Sequence, residues 1–380
     1  MRAFASLFIV LTLGVPFAQD LGIAQEFWLS TFWKIAATTL GLAWLLRTQN
    51  LFVLATAIIV GAGLLIAAVV IYNGLNGYSL VEETRVSIGR ISASDIASAA
   101  TTVQNTTLAD PNDLALVLLF PFGLAVAGVM KAGLPRMTRL LCLIALPCVT
   151  LGIIYTQSRG GAIGMLAVFG VMLLNLVKSR SMIIMLLSGM AVALAFAMAL
   201  SDRKSGGAAE YSRAVLDESA EGRLIAWEAA TKMAIAHPIT GVGMNNFVSL
   251  YFDFTPQWTG TTKAVHSTWF AMLAEGGPIA LMIFVTMLYR SFRGVHQIGA
   301  SIGSSPELRD LEPIRIGLLS SLAGFVAAST FLTQHIQWPI YIELALAAAL
   351  YRYVQSKSRS PLGQASGRPA KQAGMPAHSI

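Results

Sequence analysis

The sequence predicts an all-α fold, a polytopic transmembrane helical bundle of about ten helices with a large outward loop. Three observations lead there. Of 380 residues, 55% are hydrophobic and 12% charged, against roughly 25% charged in an ordinary soluble domain, so the bilayer must solvate most of the surface. Apolar segments long enough to cross a hydrocarbon core of about 30 Å recur near residues 3–18, 27–46, 51–72, 114–130, 138–156, 161–177, 181–200, 266–289, 315–333 and 336–353. Short polar connections join nearly all of them, which predicts one transmembrane domain over residues 1–355. The net charge of +7 is no sign of nucleic-acid binding, because the Lys and Arg residues fall in the short connections and the tail, where the positive-inside rule places them.

Taken in order, the first segment follows Arg2 and ends at Pro16-Phe17-Ala18 without a clear small-x-small cleavage site, so it reads as a helix and not as a signal peptide. Alternating the crossings from a cytoplasmic N-terminus puts Arg47, Lys131, Arg136, Arg139, Lys178, Arg180, Arg290, Arg293, Arg309, Arg315 and Arg352 inside, with the C-terminus. The same alternation sends two long polar segments outward, residues 73–113 and 201–265; long segments translocate largely regardless of charge. Residues 356–380, rich in Pro, Gly, Ser and Lys, read as a disordered cytoplasmic tail. Cys142 and Cys148 are too few for a zinc site and read as inert core thiols.

The outward segment 201–265 carries most of the chemistry. From Glu218 to Ala236 the residues Leu224, Ile225, Trp227, Ala230, Met233 and Ala234 recur at helical spacing among Arg223, Glu228 and Lys232, which predicts an amphipathic helix on the membrane surface. His237-Pro238 stops it, and Gly241-Val242-Gly243 supplies a tight turn. The glycine pair is not a dinucleotide fingerprint, since the third glycine is missing and a helix precedes it.

Four pieces, in order, resemble the core of the O-antigen ligase family, which includes related polysaccharide polymerases and protein O-oligosaccharyltransferases. They are Gln157-Ser158-Arg159-Gly160-Gly161, Gly222-Arg223 through Trp227, His237-Pro238 through Phe247, and Val265-His266-Ser267 through Glu275-Gly276. The similarity spans roughly Asp110 to Ser291. Many relatives carry Asn after the histidine, where this chain has Ser267. The resemblance implies a GT-C-like membrane glycosyltransferase. It would move a glycan from an undecaprenyl-diphosphate carrier to an acceptor hydroxyl at the outer (periplasmic) face of a bacterial inner membrane, for surface polysaccharide or lipopolysaccharide assembly. No metal, cofactor or nucleotide sugar is implied. The acceptor would be a glycolipid, a glycan or a protein.

The residues can do that chemistry. A diphosphate leaving group gains charge in the transition state and, without Mg²⁺, needs fixed cations. Arginine matches phosphate oxygens in pairs where lysine acts as a point charge, which singles out Arg159 and Arg223. Ser158 and Gly160 belong to the same helix-start element, where a glycine lets a headgroup approach the backbone. From position alone, Arg159 reads first as an interfacial anchor, and Arg223 equally as an exposed residue of an amphipathic helix; the resemblance favours the site. His266, where the outward segment re-enters the membrane, is the expected general base for the acceptor hydroxyl. Glu275, beside the helix-breaking Gly276-Gly277-Pro278, is expected to pair with an arginine or orient the histidine, and His335 sits in a short outward turn as a further substrate-binding candidate. Lys34 and Glu343 are expected to form an interhelical ion pair or to line a lipid groove, and Asp110-Pro111-Asn112-Asp113 to cap a helix. The rival class is a transporter or flippase of lipid-linked saccharides, which the broken segment keeps open. No internal repeat supports it, and the candidate residues gather at one surface. A noncatalytic assembly protein would leave Arg159, Arg223 and His266 scattered.

Overall fold

A computed structural model describes residues 2–76, 111–156, 158–191, 209–256 and 263–358, and among these no β-strand forms. Helix α1 (Arg2–Gly14) runs into a 3-10 turn, Val15–Phe17. Helix α2 (Leu21–Phe27) continues through a π-helical turn, Trp28–Phe32, into α3 (Trp33–Leu45). Next come α4 (Gln49–Asn76), α5 (Pro111–Met130), α6 (Arg136–Tyr155), α7 (Arg159–Leu176) and α8 (Arg180–Ala191). The second half holds α9 (Ala209–Ala236), α10 (Phe247–Phe254), α11 (Thr268–Ser304), α12 (Glu312–Ala328) and α13 (Trp338–Ser358).

Among the described residues six helices are long and apolar enough to cross a membrane: Gln49–Asn73, Asn112–Met130, Arg136–Tyr155, Arg159–Leu176, Thr268–Ser304 and Pro306–Ala328. The expected segments 3–18, 27–46 and 336–353 are also helical, as α1, α3 and α13, but fall short in length or apolar character. Of segment 181–200, only the part through Ala191 is described. Most of the outward segment 73–113, with Asp110, lies outside the described residues, as do residues 201–208 and 257–262 of the second outward segment and the tail from Arg359.

Helices α5 and α12 form the centre. Small residues let them pack backbone to backbone, as membrane helices do in place of hydrophobic collapse. A Cβ added to Gly123 of α5 would lie 3.1 Å from the Gly317 carbonyl oxygen of α12, and one added to Gly164 of α7 would lie 3.2 Å from that of Gly324. Helices α4 and α6 pack outside α5 and turn Leu54, Ile58, Leu65, Leu140, Leu143 and Ile144 outward, where lipid replaces water. At the end holding the helix α12 N-terminus, Arg315 is buried and satisfied by Glu312 at 2.8 Å and by Asn175 Oδ1 at 3.2 Å. Lys34 is exposed, and the buried Glu343 instead accepts from Ser321 Oγ. The expected Lys34–Glu343 ion pair is therefore absent, since the helix places the ammonium on an outer face.

Two expectations about the second half meet the structure differently. Helix α9 ends at Ala236, before His237-Pro238, as the sequence dictates. It does not simply lie on a surface: Ala226, Ala229, Ala230 and Met233 are buried in a packed cluster with Val242, Phe247, Tyr251 and residues of α11, Gly222 and Ala234 are buried too, and Leu224 and Ile235 are exposed. Helix α11 does break where Gly276-Gly277-Pro278 predicts, with Gly277 at φ 76° and ψ 175°.

The break frees two carbonyls. Pro278 has no N–H to give Ala274, and the turn at Gly277 removes the helical partner of Glu275. The turn after α9 fills both positions, with Val242 N–H donating to Ala274 O at 2.8 Å and Gly243 N–H to Glu275 O at 3.1 Å. The fit requires glycine: Gly241 has φ 65°, and a Cβ there would lie 2.4 Å from Ala274 O. On its far side the same turn accepts the chain after α1, through Gln19 N–H to Val242 O at 2.9 Å and Asp20 N–H to Asn246 Oδ1 at 2.9 Å. Gly241→Ala should therefore destabilise the fold by on the order of 2 kcal/mol, read as an earlier thermal unfolding midpoint in detergent. An unchanged midpoint would show that the turn does not hold the break.

Candidate functional site

The side chain of Glu275 is the centre of the polar assembly at this end of the bundle. Its carboxylate accepts from Asn245 N–H at 2.9 Å and Phe247 N–H at 3.2 Å, at the start of α10, and from His335 Nε2 at 2.9 Å. Both side chains are buried. A buried carboxylate is tolerable only with such saturation. Glu275 therefore pairs with neither arginine nor with His266, against expectation. Its fixed place just before the Gly277 break aims it at the Asn245–Phe247 amides and at the turn holding His335, and that pairing joins elements far apart in sequence. His335 is buried in turn, with Tyr341 Oη donating to its carbonyl at 2.7 Å. It is thus a supporting member of the Glu275 assembly in this structure, and its Nδ1 is unpartnered among the described residues.

The connection from α12 to α13, which contains His335, also clasps the start of α11. Thr268 N–H donates to Ser329 O at 2.9 Å, Thr268 Oγ1 donates to Leu332 O at 2.6 Å and accepts from Gln334 N–H at 3.0 Å. Trp269 Nε1 donates to Thr330 Oγ1 at 3.3 Å. Immediately before this clasp, His266 is half-buried and holds φ 48°, the left-handed region that few residues other than glycine adopt. Such a conformation costs about 1 kcal/mol or more and persists where its flanks are fixed. They are fixed here: Trp227 Nε1 of α9 donates to Val265 O at 3.0 Å on one side, and Thr268 is clasped on the other. Ser267, where many relatives carry Asn, is buried with its Oγ unpartnered among the described residues.

The start of α7 reaches the same clasp. Ser158 is the N-cap, its buried Oγ accepting from Gly161 N–H at 3.1 Å. Ser158 thus serves its own helix, which leaves its expected contact with substrate without support. Gly160 packs against the clasp, since a Cβ there would lie 2.9 Å from Leu332 Cγ. Arg159 is exposed at this helix start. The α9 element joins from the other side: Trp227 stacks on Phe270 at 5.0 Å with an interplanar angle of 10°, and Gly222, beside the half-buried Arg223, lies under the Lys263 side chain.

The backbones that carry Arg159, Arg223 and His266 thus meet at one end of the bundle, linked by Gly160–Leu332–Thr268 on one flank and Trp227–Val265 on the other. They are not scattered. Three features escaped the sequence. Lys263 stands three residues before His266, near the end of the outward segment, and a lone lysine there carries no motif signal. Thr268 and Leu332 carry no local signal, because their roles exist only once α11 and the α12–α13 connection meet. Among the described residues no group of three or more His, Cys, Asp or Glu side chains is placed to hold a metal ion.

Removing the Glu275 carboxylate strands two backbone amides and an imidazole in a buried site, so Glu275→Ala should cost about 3 kcal/mol of stability. Glu275→Gln, which keeps an acceptor, should cost less. Detergent thermal melts read both, and an alanine variant as stable as the parent would remove Glu275 from the centre of the assembly.

No curated protein matches the chain. Residues 140–285 match the family model described as O-Antigen ligase. The matched stretch contains Ser158, Arg159, Gly160, Arg223, His266 and Glu275, whereas His335 lies beyond it. With its several membrane-length apolar helices, the chain is a multi-pass membrane protein that over residues 140–285 carries the O-antigen ligase family match its motifs resemble.

Proposed function

We propose that the protein transfers a glycan from an undecaprenyl-diphosphate carrier to an acceptor hydroxyl, at the periplasmic face of a bacterial inner membrane and without metal or cofactor. The observation that carries this reading is the meeting of the Arg159, Arg223 and His266 backbones at one end of the bundle. In the reaction His266 takes the proton from the acceptor hydroxyl as its oxygen attacks the anomeric carbon. The bond from that carbon to the diphosphate oxygen breaks on the opposite side, and its electron pair leaves with undecaprenyl diphosphate. A single displacement of this kind inverts the anomeric centre. Arg159 and Arg223 bind the diphosphate and stabilise the charge it gains; Gly160, whose open side is filled by Leu332, fixes the helix start that carries Arg159 and leaves no room there for the headgroup.

Acceptor choice distinguishes a ligase that joins O-antigen to a lipid acceptor from a polysaccharide polymerase or a protein O-glycosyltransferase. We assign it to the outward segments 73–113 and 201–265. The α11 break gives the transporter reading no added support, because the carbonyls freed there accept from Val242 and Gly243.

With a lipid-diphosphate glycan as donor and membranes checked for normal insertion, Arg159→Ala and Arg223→Ala should each lower transfer about a hundredfold or more. His266→Ala should lower it by on the order of 10²–10⁴. Normal transfer in all three would refute the site and return transport to the lead. Chelator should leave the parent activity intact; loss with chelator and recovery with Mg²⁺ or Mn²⁺ would refute the metal-independent reaction.

A further inference from the structure

Gly222 is a buried glycine inside helix α9, where glycine costs about 1 kcal/mol relative to alanine. What it allows is visible. A Cβ at Gly222 would lie 3.0 Å from Lys263 Nζ, 3.6 Å from its Cδ and 3.7 Å from its Cε, so the lysine stem lies flat across the helix at this point. The ammonium is thereby held over the backbone next to Arg223. Lys263 is half-buried, and among the described residues no carboxylate pairs with it, although Glu228 one and a half turns along α9 is engaged by Lys232 at 2.9 Å. A partly desolvated cation that pairs with no carboxylate among the described residues gains from an anion that arrives from outside.

The segment is also fixed. Two residues on, the Val265 carbonyl is held by Trp227 Nε1 at 3.0 Å, and that indole is stacked on Phe270. Lys263 and His266 therefore stand on one four-residue stretch anchored to the helix that carries Arg223.

We propose that Lys263 is a third cation of the donor site, which binds the lipid-linked diphosphate as a point charge beside Arg223. The inference rests on the glycosyltransferase reading and extends it: the stretch that ends in the proposed base also holds the leaving group. An ammonium that rotates freely donates to whichever diphosphate oxygen Arg223 leaves open.

The test separates the charge from the stem. Lys263→Met keeps an unbranched stem over Gly222 and removes the charge, and Lys263→Arg keeps the charge. Each is assayed in membranes with the lipid-diphosphate glycan as donor and inorganic diphosphate as competing inhibitor. Lys263→Met should raise the KM for the glycan donor about tenfold, the scale of one charge-assisted contact. It should weaken inhibition by inorganic diphosphate by a similar factor and leave the acceptor KM unchanged. Lys263→Arg should stay near the parent. If Lys263→Met fails to insert, Lys263→Gln is held to the same expectations. Parent-like donor KM and diphosphate inhibition in the uncharged variant would overturn the proposal. If at the same time Arg159→Ala, Arg223→Ala and His266→Ala abolish transfer, Lys263 alone is misassigned; if those three retain transfer, the glycosyltransferase reading falls and takes this assignment with it.

Discussion

The break in α11 is the constraint on which the rest of this end of the molecule depends. A proline that cannot donate and a glycine at φ 76° leave the Ala274 and Glu275 carbonyls without helical partners. In a membrane protein such groups must be satisfied by protein or water, at a cost of several kcal/mol when they are not. The turn Gly241-Val242-Gly243 satisfies them, and this brings the end of α9 and the start of α10 against α11. The Glu275 side chain then takes the first amides of α10 and the imidazole of His335, which draws in the connection between α12 and α13. That connection clasps Thr268 and packs Leu332 on Gly160. One broken helix thereby fixes the starts of α7, α10 and α11 relative to one another.

This order of dependence separates two kinds of residue within the matched stretch. Ser158, Gly241, Gly243 and Glu275 spend their polar groups or their lack of a side chain on backbone partners of the protein itself. Arg159 is exposed and His266 half-buried at the same end. The proposed glycan transfer needs a rigid frame that holds its reacting groups in place. The left-handed backbone of His266 fits the pattern, since strain of that kind survives only where neighbours on both sides are pinned.

Local signals in the sequence were legible wherever the physics is local. The stop of α9 before His237-Pro238, the start of α7 at Ser158-Arg159 and the break at Gly276-Gly277-Pro278 follow from proline, capping and glycine chemistry within a few residues. That Arg159, Arg223 and His266 stand at one end is legible in the alternation of the crossings, and their grouping as one site only in the resemblance of the motifs. What could not be read was pairing across the fold. Glu275 was expected to meet an arginine or His266 and meets His335 and two amides; Glu343 meets Ser321 and not Lys34. A carboxylate in an apolar run signals that some partner exists, but the partner is chosen by which helix face meets which, and apolar periodicity is weak in segments that are hydrophobic all round. The same weakness blurs the number of crossings, because α1, α3 and α13 are helical yet shorter or more polar than a full membrane span.

The most direct measurement is a structure of the protein with a lipid-diphosphate glycan bound. The account predicts the diphosphate between the Arg159 and Arg223 side chains, with the first sugar toward His266 and the lipid leaving along the bundle from the start of α7. A diphosphate held elsewhere, with the Arg159 and His266 side chains far from the donor, would contradict it.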